Sequence, residues 1–140
     1  AFDIDHFKMI NDNYGHLMGN KILKAVSDRL KVFLFDLEYD GFVYRTGGEE
    51  FALVLVNVSG NETKAIQLTE ALSQAIRSIK IMDDQGDFIG LTISIGGEMV
   101  NYDDMNYLES YQRADNYLYH SKVNGRNAIT INNKLIRQKR

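Results

Sequence analysis

Apolar residues in this chain alternate between helical spacing and short continuous runs, and the changes of period mark its elements. Ile22, Leu23, Val26, Leu30 and Phe33 recur at helical spacing and predict a helix over residues 19–35. Two apolar runs, Phe42-Val43-Tyr44 and Phe51-Ala52-Leu53-Val54-Leu55-Val56, flank Gly47-Gly48-Glu49-Glu50 and predict a β-hairpin over 41–56. Ser59-Gly60-Asn61 breaks the chain. Ala65, Leu68, Leu72, Ala75, Ile76 and Ile79 then mark a second amphipathic helix. A polar turn at 83–87 leads into a strand at 88–95. Leu108, Tyr111, Ala114, Tyr117 and Leu118 define a third helix, and 127–131 a closing strand. Residues 1–5 read as the end of a strand. The tail 134–140, with Lys134, Arg137, Lys139 and Arg140, reads as a frayed, solvated end. The order strand, helix, hairpin, helix, strand, helix, strand predicts an α+β fold of the ferredoxin-like, split βαβ kind. Its sheet is expected to be mixed and mainly antiparallel, flanked by helices.

Composition narrows the chemistry. At 140 residues the chain is long enough for one domain with a real core. A formal charge of -3 leaves no nucleic-acid footprint, so a nucleotide partner would be small and metal-screened. The absence of cysteine rules out a disulfide framework, a thiolate nucleophile and a thiolate zinc site, and fits a reducing, cytoplasmic setting. No apolar stretch approaches the roughly 18–20 residues that span a bilayer. The chain opens at Ala1-Phe2-Asp3, inside the expected strand, and reads as a fragment of a longer protein that could itself be membrane-anchored.

Three groups of residues carry candidate chemistry. At the hairpin tip, two glycines admit a close approach while Glu49 and Glu50 concentrate negative charge. The tip is either a solvated turn or a cation site. Asp3, at the end of the strand expected beside the hairpin, could approach both glutamates, and three converging carboxylates would suit Mg²⁺ as hard oxygen ligands. Asp5 and Asp12 could serve instead as helix-cap or turn residues. Asn11 and Asn20 stand either side of a glycine-punctuated turn, where they are either turn formers or amides that read a base edge. Lys122 and Arg126 flank the helix-stop signal Asn124-Gly125. There they either answer the helix dipole or grip a polyphosphate.

Together these segments resemble the GGDEF family of diguanylate cyclases. The resemblance runs through Asp3-Ile4-Asp5-His6-Phe7-Lys8 with Ile10-Asn11-Asp12, Gly15-His16, Gly19, and Arg45 with Gly47-Gly48-Glu49-Glu50-Phe51. It continues through Leu91-Thr92-Ile93-Ser94-Ile95-Gly96, Arg113-Ala114-Asp115, and Lys122 with Gly125-Arg126-Asn127. It implies a palm-type domain over 1–140, truncated at its N-terminus, that condenses two GTP into cyclic di-GMP. Asp3, the Ile4 carbonyl, Glu49 and Glu50 would bind Mg²⁺ or Mn²⁺. Asn11 and Asn20 would read guanine, with Phe7 in the same pocket, while Lys122 and Arg126 hold the triphosphate with support from Lys8. Glu49 would help to deprotonate the ribose 3′-hydroxyl, with Glu50 and Asp3 completing the catalytic set. Each domain would hold one GTP, so catalysis would need a homodimer, driven by an upstream sensor or dimerisation module.

The chain departs from the family pattern in three places. Asn20 stands where the family usually has aspartate, and its NH₂ would oppose a guanine donor while suiting an adenine edge. The stretch Glu38-Tyr39-Asp40-Gly41 lacks the arginine and aspartate of the RxxD product-inhibition site. The N-terminal helix and loop that complete the family's nucleotide pocket are absent, which implies weak activity of the fragment alone. The alternative reading is a degenerate GGDEF domain that binds nucleotide or a partner and signals without catalysis. A domain that merely packs or dimerises would leave these polar residues unexplained.

Overall fold

The structure, a computed structural model, describes residues 1–37, 40–55, 61–100 and 107–138. Its central strand β1 (Phe2–Ile4) alternates two buried apolar side chains with Asp3, so one face of the strand feeds the core while the other carries a carboxylate. The hairpin β2 (Gly41–Gly47) and β3 (Glu50–Leu55) lies beside it, as the sequence predicts. Val56, residues 59 and 60 of the predicted break, and residues 38 and 39 of the stretch compared with the RxxD site lie outside the described residues. With β6 (Ile93–Gly97), β7 (Ala128–Ile131) and β8 (Lys134–Arg137), these strands form a six-stranded sheet in the order β2-β3-β1-β6-β7-β8. β1 is antiparallel to β3 and β6, and among the described residues only the β6–β7 pair is parallel. The sheet is therefore mixed and mainly antiparallel, as expected.

Four helices among the described residues pack on it. α1 (Phe7–Tyr14) buries Phe7 and Ile10, α2 (His16–Asp36) buries Ile22, Leu23, Val26 and Leu30, and α3 (Glu62–Arg77) buries Leu72 and Ile76. All three feed one core with Phe2, Ile4, Phe51 and Ile93. α4 (Tyr107–Val123) lies closest to β6, where a Cβ on Gly96 would collide with the Ala114 carbonyl and the Leu118 amide. Helix and strand thus meet backbone to backbone, which fixes the height of α4 over the sheet.

Three expectations change. The stretch read as a turn around Asn11 and Asn20 is largely helical: α1 ends at Gly15 (φ 89°) and α2 starts at once, three residues earlier than predicted. The predicted strand 88–95 is two strands. β5 (Phe88–Ile89) pairs with β4 (Ile81–Met82) in a separate hairpin, while β6 joins the main sheet. The tail is not frayed over 134–137. Asn132 and Asn133 both adopt positive φ (49° and 70°), as a two-residue hairpin turn requires, and return β8 onto β7. Residues 139 and 140 lie outside the described residues.

Candidate active site

The hairpin tip owes its shape to its glycines. Gly48 is left-handed (φ 46°), the register slips between Arg45 and Gly47, and the Arg45 Nε donates to the Gly48 carbonyl at 2.6 Å. That turn presents Glu49 and Glu50 on the side facing β1. Glu50 is the antiparallel register partner of Asp3, and the Ile4 amide donates to the Glu49 carbonyl at 3.3 Å. Side chains of directly opposed residues lie on one face of the sheet, so Asp3 and Glu50 share theirs.

Both carboxylates are costly where they stand. Burial is the largest influence on Asp3 and raises its pKa, outweighing the Lys122 ammonium that pairs with it; Glu49 and Asp5 add to the rise. Burial also leads in raising Glu50, with Asp115 and Asp3 adding to it, while the Tyr111 hydroxyl opposes the rise by donating to Glu50 Oε1 at 2.9 Å. Buried Asp3, paired with Lys122, and half-buried Glu50 on the same sheet face make a natural seat for a cation. Among the described residues, however, no three Asp, Glu or His side chains converge closely enough to form a metal cage on their own. The expected convergence of Asp3, Glu49 and Glu50 is therefore incomplete side chain to side chain. The oxygen donors still fit a hard cation that draws its remaining ligands from the Ile4 carbonyl and from phosphate.

Asp5 has a different duty from the cap or turn suggested by the sequence. Its buried carboxylate accepts from the Thr92 hydroxyl (2.7 Å), the Ser94 hydroxyl (2.6 Å) and the Asn127 amide (2.9 Å). The N-cap of α1 is His6 instead, in a left-handed conformation. Asp5 thereby ties β1 and β6 to the turn after α4, where Gly125, Arg126 and Asn127 all have positive φ. Asp12 lies exposed within α1, neither cap nor ligand.

Beside the hairpin opens a cavity of about 460 Å³, within the range of small-ligand sites. Phe7, Lys8 and Asn11 from α1 and Asn20 from α2 line it, facing Gly48 and Glu49. The Gly15 break lets the two asparagines meet across one pocket. Gly19 makes room for Asn11, since a Cβ there would collide with the Asn11 amide oxygen. That oxygen is buried and has no hydrogen-bond partner among the described residues, an acceptor open to a donor. Leu23 and Arg45 also line the cavity. Leu23 was legible only as a core residue, and Arg45 only as part of a motif.

The sequence-derived residues thus fall into two adjoining groups and one outlier. Phe7, Lys8, Asn11, Asn20 and Glu49 share the cavity, while Asp3, Glu50 and Lys122 cluster at the β1–β3 junction. Arg126 is exposed and lines neither, though its turn is anchored to Asp5. The cavity thus carries a buried amide acceptor and Glu49, and the Asp3 and Glu50 carboxylates stand one residue beyond it.

Comparison with known proteins agrees. Residues 1–128 match the family model described as diguanylate cyclase, GGDEF domain. The chain is 40% identical over 131 residues to diguanylate cyclase VdcA of Vibrio cholerae, covering 91% of this chain and 36% of the relative. Its fold is similar to the active GGEEF domain of a diguanylate cyclase from Vibrio cholerae (TM-score 0.79, 31% identity, 99% of this chain and 81% of that one). It is also similar to the GGDEF domain of DgcB from Caulobacter crescentus, solved in complex with c-di-GMP (TM-score 0.79, 27% identity, 93% and 74%). The chain belongs to the GGDEF family of diguanylate cyclases. It spans between 27% and 36% of the length of curated relatives that it matches. Diguanylate cyclases of this family generally need a divalent metal. No helix among the described residues is long and apolar enough to cross a membrane.

Proposed function

We propose that this domain is the catalytic output unit of a longer signalling protein and condenses two GTP into cyclic di-GMP with release of pyrophosphate. The observation that carries the proposal is the continuity of the two groups of residues. The cavity holding the unpaired Asn11 oxygen ends at Gly48 and Glu49, one residue from the Asp3–Glu50 pair.

In this reading Asn11 and Asn20 bind the base, Phe7 supplies an apolar wall, and Lys8 faces the phosphates. Lys122 and Arg126 complete the charge around the triphosphate. Asp3, the Ile4 carbonyl, Glu49 and Glu50 would hold Mg²⁺ or Mn²⁺, which neutralises phosphate charge and polarises the α-phosphorus when bound. Glu49 accepts the proton from the 3′-hydroxyl of one GTP as that oxygen bonds to the α-phosphorus of the other. The bond to the pyrophosphate leaving group breaks in the same displacement. One pocket per domain requires two domains face to face, so the working unit is a symmetric homodimer. An upstream sensor or dimerisation module would bring them together, on the cytoplasmic side where GTP is available.

Asn20 favours a second reading, in which the domain binds nucleotide for regulation without turnover, because its NH₂ opposes the guanine donors. Both are tested by incubating the full-length protein with GTP and Mg²⁺ and resolving the nucleotides by chromatography. Cyclic di-GMP that disappears in Glu49→Ala supports catalysis. Tight GTP binding with no product supports the regulatory reading.

A further inference from the structure

The face of α4 that carries Lys122 also carries Tyr111 and Asp115, which lie on one stripe of the helix because they are spaced by about one and two further turns. Backbone contact at Gly96 locks that stripe over β1 and β3. Its two ends then grip two register partners: Lys122 pairs with Asp3, and the Tyr111 hydroxyl donates to Glu50 at 2.9 Å. The two grips differ chemically. An ammonium neutralises the carboxylate it holds and competes with any incoming cation. A phenol O–H fixes a carboxylate through one oxygen and leaves its charge in place.

We propose that Tyr111 is a positioning residue for the divalent cation: it immobilises Glu50 through Oε1 on the sheet face that Glu50 shares with Asp3, while Asp115 stands against the same carboxylate, so that the carboxylate is set for the metal. This rests on the reading of Asp3 and Glu50 as metal ligands. A free glutamate must give up rotamer freedom when it binds a cation, and Tyr111 has already removed part of that freedom. The Thr46 hydroxyl meets the same phenol, so the α4 grip extends to the hairpin as well as to Glu50.

The test is Mn²⁺ binding to the nucleotide-free, full-length protein, read from the electron paramagnetic resonance signal of the free ion, in wild type, Tyr111→Phe, Glu50→Gln and the double variant. Tyr111→Phe keeps the ring and loses only the hydroxyl. Its Mn²⁺ affinity should fall about tenfold, the scale of a hydrogen bond to a charged acceptor. It should have no further effect in the Glu50→Gln background. Tyr111→Gln, which restores a donor, should recover part of the loss. In turnover, Tyr111→Phe should need more Mg²⁺ for half-maximal rate at an unchanged KM for GTP. If Glu50→Gln weakens Mn²⁺ binding while Tyr111→Phe matches wild type, Tyr111 has no positioning role and the metal site stands. If wild type binds Mn²⁺ no better than Glu50→Gln, the metal-site reading fails and the role of Tyr111 falls with it.

Discussion

Asp3 and Glu50 face each other across the β1–β3 ladder, and a single helix holds both, Lys122 on Asp3 and Tyr111 on Glu50. Two acids that would otherwise repel are kept together at the edge of a nucleotide-sized cavity. The fold spends much of its rigidity on this junction, since β1 is the central strand and α4 touches the sheet backbone to backbone.

The acids should cost stability when no metal is present. Glu50 has a raised pKa in the folded state, so its favourable contribution is complete below the unfolded value and is lost as pH rises through the folded one. In the presence of a chelator, Glu50→Gln should therefore melt higher than wild type at neutral pH, and the two should converge as pH falls below ~4, where glutamate becomes protonated in either state. Thermal melts across that range check this. A variant less stable than wild type at neutral pH would contradict it.

Gly96 should be irreplaceable for a steric reason. A methyl group there meets two backbone groups of α4, which have no rotamer to relax into. Gly96→Ala should lose about 1–3 kcal/mol, the usual scale of overpacking, and should reduce activity because Tyr111 and Lys122 ride on the displaced helix. Gly90→Ala is the control, since nothing lies within 4 Å of its Cβ position. Urea denaturation of the two variants separates the effects.

Asp5 should matter although it does not line the cavity beside the hairpin. Removing its carboxylate in Asp5→Ala strands the Thr92 and Ser94 hydroxyls and the Asn127 amide. A stability loss of about 2–4 kcal/mol is expected from these charge-assisted bonds. Because Asn127 follows Arg126, surviving folded protein should also show a raised KM for GTP. A variant as stable as wild type would show that the three donors find water instead.

Asn20 should set the strength and selectivity of base binding. One mispaired contact costs roughly 1–3 kcal/mol, or about one to two decades in affinity. Asn20→Asp should tighten GTP binding by that order and weaken ATP binding in calorimetric titrations with Mg²⁺. A tight, GTP-selective isotherm unchanged by the substitution would contradict the assignment. The missing RxxD pair at Glu38 and Gly41 adds that cyclic di-GMP should not inhibit through that position.

The sheet and the hairpin were legible because their signals are local: apolar runs around a Gly-Gly turn, and helical spacing in α2 and α3. The helix α1 was missed because Asn11, Asn13 and Gly15 carry turn chemistry, while the helix is held by only two buried residues, Phe7 and Ile10. β8 is hard to read locally because basic residues at both ends flank only Leu135 and Ile136, so the segment resembles a solvated tail although Asn132-Asn133 forms the turn before it. Motif residues could be assigned to a site, yet their partners could not. Tyr111 reads only as a core position of an amphipathic helix, and nothing local says that it reaches a glutamate 61 residues away. Asp5 likewise looks like a cap, since its three donors come from distant segments.

The most direct measurement is the stoichiometry of products from the full-length protein given GTP and Mg²⁺. The account predicts two pyrophosphates released per cyclic di-GMP formed, at a rate per protein that rises with protein concentration as dimers form, and no product from Glu49→Ala. Bound GTP that is never consumed at any protein concentration, or turnover that survives Glu49→Ala, would contradict it.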